Sequence, residues 1–152
     1  MKRSRSCYEC KKTEVESFKD VTVWALGAGN YPKVEGDVWN GNGVSSLING
    51  MYEPDNSSLI AGKGNSSVTV TLELANPTAV DMIYVKGRGS ATIEVTVTYE
   101  DGTTKLIGIG SFGDEAACFF TDGNSIVKVT VNMPNPSEGN DFWQEITLAQ
   151  KI

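Results

Sequence analysis

Apolar and polar residues alternate along most of this chain. In residues 67–74, Val68, Val70, Leu72 and Leu74 alternate with Thr69, Thr71 and Glu73. A period of two sends successive side chains to opposite faces of a strand. Ala75-Asn76-Pro77-Thr78 interrupts the run, and a second apolar stretch spans 80–85. The clearest hairpin lies over 93–109. Ile93, Val95, Val97 and Tyr99 share one face, Thr92, Glu94, Thr96 and Thr98 the other, and Asp101-Gly102 supplies the turn. Burial of Ile93, Val95 and Val97 is expected. Residues 20–26 read as a first strand, two more flank Asp122-Gly123, and 142–152 close the chain. Lys86-Gly87-Arg88-Gly89 reads as a hairpin turn. No stretch shows an apolar period of 3.6, and no internal repeat is visible. About eight short strands separated by turn signals predict an all-β fold, an antiparallel β-sandwich of the jelly-roll kind.

A chain of 152 residues fits one domain with a core of its own. No apolar run approaches the ~18 residues of a membrane span, so no span is expected. The basic start is not followed by an apolar stretch, so no secretory signal is expected. The net charge is −6, unevenly spread. Residues 1–12 carry five basic groups and one acid, and the remainder carries eight basic groups against eighteen acids. An acidic body repels phosphates, which argues against nucleic acid. The pattern divides the chain into an extended basic arm, 1–19, and a sandwich domain, 20–152. Within the arm, Arg3, Arg5, Tyr8, Lys11, Lys12 and Phe18 are the expected contacts to another subunit.

The chemistry a catalyst needs is sparse. The chain has no His, which removes Ser-His-Asp and Cys-His arrangements. Gly27-x-Gly29 and Gly41-x-Gly43 lack the following helix that a phosphate cradle requires. A non-enzymatic role is expected. Cys7 and Cys10 form a single C-x-x-C with no second pair, short of the four ligands of a zinc site. They read as reduced thiols or a small local disulfide. Cys118, in Ala-Ala-Cys-Phe-Phe, reads as a buried core thiol.

The order of motifs resembles the discoidin-like, or galactose-binding-like, β-sandwich superfamily. Leu47-Ile48-Asn49-Gly50 stands for its "DG" loop, and Leu72-Glu73-Leu74-Ala75-Asn76-Pro77 for its strand ending near "DLGxP". The strand from Val80 to Gly87 and that from Ile93 to Gly102 follow in order, and Gln144-Glu145-Ile146-Thr147-Leu148 resembles the closing strand. The resemblance spans about residues 44–150. It implies a binding or packing module whose loops at one end of the sandwich hold glycans, lipids or proteins. It also implies a structural Ca²⁺, mapping onto Asn49, Asp55 and Glu145. Asn49 departs from the usual Asp and removes one charge, and hard cations want about six to eight oxygens. The plainer alternative makes Asn49-Gly50 a turn and Glu145 a solvated strand residue.

Two roles compete. The first is a structural subunit of a larger assembly, a bacteriophage virion component such as a head-decoration, neck or tail protein, homo-oligomeric and located in the virion. Cytoplasmic residence, or release by lysis, is the alternative location. The second is a carbohydrate-binding or host-surface adhesion module. Its candidates are Trp39 and Tyr52 for stacking, with Tyr31 behind them and Asn42, Asp55, Asn56 and Arg88 as polar partners. Trp24 and Trp143 read as core or interface. The sequence places the assembly role first.

Overall fold

The computed structural model describes residues 5–6, 18–36, 38–39, 48, 60–62, 67–113, 116–134 and 142–152. For 5–6, 38–39, 60–62, 88–91, 111–113, 116–117 and 142–144 the description is of backbone alone. Eleven strands and one short helix, α1 (Thr22–Leu26), make up these residues. The strands are β1 (Arg5–Ser6), β2 (Phe18–Asp20), β3 (Lys33–Glu35), β4 (Val38–Trp39), β5 (Ile60–Gly62) and β6 (Val68–Ala79). They continue as β7 (Met82–Tyr99), β8 (Thr104–Gly113), β9 (Ala116–Phe120), β10 (Ser125–Met133) and β11 (Phe142–Lys151).

All pairings are antiparallel, and they form two sheets that share β7. One sheet runs β3-β6-β10-β7-β8. The other runs β1-β9-β7-β11-β5-β4, with β2 on the opposite end of β11. The first half of β7 lies between β9 and β11, and the second half between β10 and β8. The predicted hairpin is present, with Val97 opposite Lys105 and Thr98 opposite Thr104. Lys86-Gly87-Arg88-Gly89 is not a turn. It is the part of β7 that passes from one sheet to the other, with Gly87 opposite Trp143 and Gly89 opposite Gly113. Glycine suits such a bend because it has no side chain to pack against either sheet.

Between the sheets lies one core. Val68, Val70, Leu72, Ile93, Val95, Val97, Val129 and Val131 face Ile83, Val85, Phe119, Ile146 and Leu148, all fully buried. Each such side chain contributes about 1.5–3 kcal/mol by leaving water. The Asn76-Pro77 segment does not end β6. The register slips there: Glu73 opposes Lys128 while Thr78 opposes Ile126, so residues 74–77 form a bulge. A proline without an N–H is tolerated where the ladder is already broken.

The region predicted as a first strand divides in two. Residues 18–20 pair with Gln150 and its neighbours, and 22–26 form α1. Thr22, Ala25 and Leu26 are buried, while Val23 and Trp24 are 56% and 62% exposed. Burial at i, i+3 and i+4 is helical spacing, so the alternation of valines in 20–26 is misleading. The Asp20 carboxylate accepts from the Thr22 N–H at 2.8 Å and starts the turn. Trp24 is therefore a surface residue here and not core.

A second, smaller apolar cluster lies on the other face of the β9-β7-β11 sheet. It holds Phe18, Met82, Tyr84, Cys118 and Ala149, with Phe120 against it. Phe18 is 7% exposed and meets the Phe120 ring at 6.3 Å between centroids. Phe18, read as a subunit contact, packs into its own chain, and Arg5 is paired by its backbone with Cys118. The physical reason is that residues 82–85 are apolar at every position, so both faces need cover. Arg3, Tyr8, Lys11 and Lys12 lie outside the described residues. Cys118 is buried as expected but is disulfide-bonded, not a free thiol. The other two cysteines of the sequence, Cys7 and Cys10, lie outside the described residues.

Candidate functional site

The two ends of the sandwich differ in chemistry. At one end the register forms a cross-strand row: Trp39 opposite Ala61, Ala61 opposite Phe142, and Phe142 opposite Arg88. Adjacent strands lie about 4.8 Å apart, so Trp39 and Arg88 stand roughly 14 Å from each other along that row. Two residues expected to bind a ligand, 49 positions apart in sequence, thus lie in one cross-strand row of one sheet. Asn42, Tyr52, Asp55 and Asn56 lie outside the described residues. Tyr31 is 52% exposed.

Of the expected calcium ligands, Asn49 and Asp55 lie outside the described residues, and Glu145 is fully buried. This overturns the reading of Glu145 as a solvated strand residue. Glu145 and Thr147 share a face of β11, and the Thr147 hydroxyl donates to the Glu145 Oε2. A carboxylate taken out of water needs donors or a counter-charge, and a cation is one way to supply it. Among the described residues no three acidic or thiol side chains cluster as metal ligands.

At the opposite end, turns hold a set of fixed carboxylates. In the β7–β8 turn the Thr103 hydroxyl and N–H both donate to Asp101 Oδ1, at 2.6 and 2.9 Å. These two bonds hold the Asp101 carboxyl below its usual range. Gly102, at φ 87°, closes this turn in the left-handed region. Between β9 and β10, Asp122 accepts from the Asn124 N–H at 3.0 Å and from the Tyr99 hydroxyl at 2.8 Å. The Asn124 N–H, then the Tyr99 hydroxyl, keep the Asp122 carboxyl low. Burial, followed by the bond to Asp122 and its charge, pushes the Tyr99 phenol up. Asp81 is fixed by the Lys151 N–H, which donates to its Oδ2 at 2.8 Å. None of these carboxylates figured among the residues singled out from sequence. Asx turns (Asp101-Gly102, Asp122-Gly123) were legible, but their gathering at one pole depends on the sheet pairing.

No protein-family model matches the chain, and no curated protein matches it. Solved structures do. A Clostridium perfringens module, CpGH89CBM32-4, in complex with GlcNAc-α-1,4-galactose, is 18% identical with a TM-score of 0.59. The match covers 82% of this chain and 98% of that one. GH31 CBM32-2 bound to GalNAc is 17% identical, with a TM-score of 0.59, over 79% of this chain and 97% of the other. A structure of the CBM32-1, CBM32-2 and M60 catalytic domains of Clostridium perfringens ZmpB gives a TM-score of 0.67 at 14% identity. There the match takes in 99% of this chain but 17% of the larger one. The two sheets, the shared β7 and the likeness to these modules agree: the chain has the discoidin-like, galactose-binding-like β-sandwich fold.

Proposed function

We propose that this domain is a non-catalytic carbohydrate-binding module that holds a glycan at the end of the sandwich carrying Trp39 and Arg88. The observation that carries the reading is the fold likeness to modules whose structures contain galactose- and GalNAc-type sugars. The cross-strand row adds to it. An indole offers a sugar's C–H face a broad apolar surface, and a guanidinium donates to hydroxyls in a fixed fork. Tyr52, Asn42, Asp55 and Asn56, on the neighbouring stretch of sequence, complete the proposed set. In this reading Ca²⁺ at Asn49, Asp55 and Glu145 is structural, and its removal with a chelator lowers the melting temperature without abolishing the fold.

The assembly role, placed first from composition, has less support. None of the structures described above is a virion component, and its local motive was an arm that leaves the domain. Phe18 and the β1 backbone belong to this chain's own sheets. The disulfide at Cys118 also supports residence outside a reducing cytosol, where such bonds persist.

The test is calorimetric titration with galactose, GalNAc and GlcNAc-α-1,4-galactose, alongside a glycan array. Trp39→Ala should weaken binding at least about tenfold, some 1.4 kcal/mol, with an unchanged melting temperature. Binding that Trp39→Ala leaves intact would refute this placement of the site.

A further inference from the structure

At the pole opposite the Trp39–Arg88 row, a cleft of about 640 Å³ opens between the start of β8, the end of β9 and the end of β11. From Met82, opposite Phe120 and Ala149, to Arg88, opposite Phe142, β7 advances six residues. At ~3.3 Å per residue the two ends are about 20 Å apart. The cleft is thus separate from the proposed glycan site.

Its floor is apolar: Leu106, Ile107 and Phe120 line it. Leu106 is 51% exposed, on a strand that pairs only with β7 among the described residues. Its lining carries both signs, Asp81 and Asp122 together with Lys105 and Lys151. Both carboxylates are pinned in place, Asp81 by the Lys151 N–H and Asp122 by the Asn124 N–H and the Tyr99 hydroxyl. Lys105 stands 3.9 Å from Asp122, both partly exposed, a pair too loose to hold the ammonium in one place.

We infer that this cleft is a second binding site for a neutral sugar, a pyranose laid with its C–H face on Leu106 and Phe120 and its vicinal hydroxyls between Asp81 and the lysines. The rim's balance of charges selects the class. A ligand of either sign meets two like charges as well as two opposite ones, whereas a hydroxyl both donates to a carboxylate and accepts from an ammonium. The volume lies in the ordinary range for small-ligand sites, about 300–1,000 Å³, and apolar floors with a few fixed polar groups are their usual make-up. The inference extends the glycan reading to a module with two sites facing opposite ways, able to engage two sugar chains at once.

Amide NMR of the full chain, titrated with the methyl glycosides of galactose, GalNAc, GlcNAc and mannose, tests it. Saturable shifts of amides 105–107, 120–123 and 151 are expected with at least one sugar. Leu106→Asp should weaken that binding at least tenfold and leave any response at 38–39, 60–62 and 88 unchanged. Shifts confined to the Trp39–Arg88 end would overturn the second site while the proposed function stands. Shifts confined to the cleft would uphold the second site and overturn the first. Cleft shifts that Leu106→Asp does not weaken are transmitted from elsewhere and overturn the second site. No shift anywhere at 20 mM sugar, roughly the concentration at which a contact of about 2–2.5 kcal/mol half-saturates, overturns both.

Discussion

Reducing the disulfide at Cys118 should cost this domain a large share of its stability. Cys118, on β9, is disulfide-bonded, and an intrachain bridge to either of the other two cysteines of the sequence would close a loop of roughly 110 residues, for which chain-entropy reasoning gives about 5 kcal/mol. Residual structure in the unfolded chain lowers the expected figure to about 3–4 kcal/mol. A domain of this size has about 5–15 kcal/mol in all. Urea unfolding followed by tryptophan fluorescence, with and without a phosphine reductant, reads the effect. With a slope of about 2 kcal/mol/M, the midpoint should fall by about 1.5–2 M on reduction. Cys118→Ala should unfold near the reduced midpoint, and reductant should not shift it further, since the same constraint cannot be lost twice. In denaturant without reductant, one thiol per chain should titrate, because three cysteines and one bridge leave one. A peptide map then names Cys7 or Cys10 as the partner. Three titrating thiols, or a midpoint that reduction leaves in place, would refute the reasoning.

Phe119→Ala, at the centre of the core between the sheets, should destabilise by about 3–5 kcal/mol in the same urea assay. A loss under about 1 kcal/mol would mean that the two sheets do not meet there. Gly36 has φ 115°, and a Cβ on it would stand 2.6 Å from the Ser67 carbonyl oxygen. Gly36→Ala should therefore cost at least about 1 kcal/mol and loosen β3 from β6, seen as faster hydrogen exchange at Val34. Asp101 and Asp122 are both held below the ordinary carboxylate range. Their stabilisation is complete above the unfolded value of about 3.9 and is lost as pH falls through the lower folded values. Melting temperature should fall on acidification below about pH 4, and Asp122→Asn should make that fall shallower.

The alternating strands were legible because burial on one face writes a period of two into the sequence. Ile93, Val95 and Val97 against Thr92, Glu94 and Thr96 allow one assignment, and Asp101-Gly102 fixes where the chain turns. The misread elements are too short or too bent to write a clear period into the sequence. In α1, five residues are too few to display a helical period, and β-branched Val21 and Val23 mimic a strand. The Asp20 carboxylate, one residue before the N-cap Val21, accepts from the Thr22 N–H and was the local signal of a chain turn there. In β7, Gly87 and Gly89 resemble a turn in sequence, but they mark a strand bending between two sheets. Neighbours distant in sequence, Trp143 and Gly113, decide between these outcomes. The candidate sites were legible only as residue types, since Trp39 and Arg88 come together through β5 and β11, strands that no local motif links.

The arm shows how composition can mislead where pattern would not. Five basic groups in twelve residues suggested a segment seeking a partner. The run Met82-Ile83-Tyr84-Val85 already argued otherwise. Four consecutive apolar residues in a strand put Ile83 and Val85 on one face and Met82 and Tyr84 on the other, and both faces are buried. A sandwich has only one inner face, so the outer one needs cover from elsewhere in the chain. Phe18 supplies part of it, and β1 joins the adjoining strand edge. Charge then takes a different role. Residues 13–152 carry eighteen acids against eight basic groups, and the basic residues 1–12 reduce a net charge of −10 to −6.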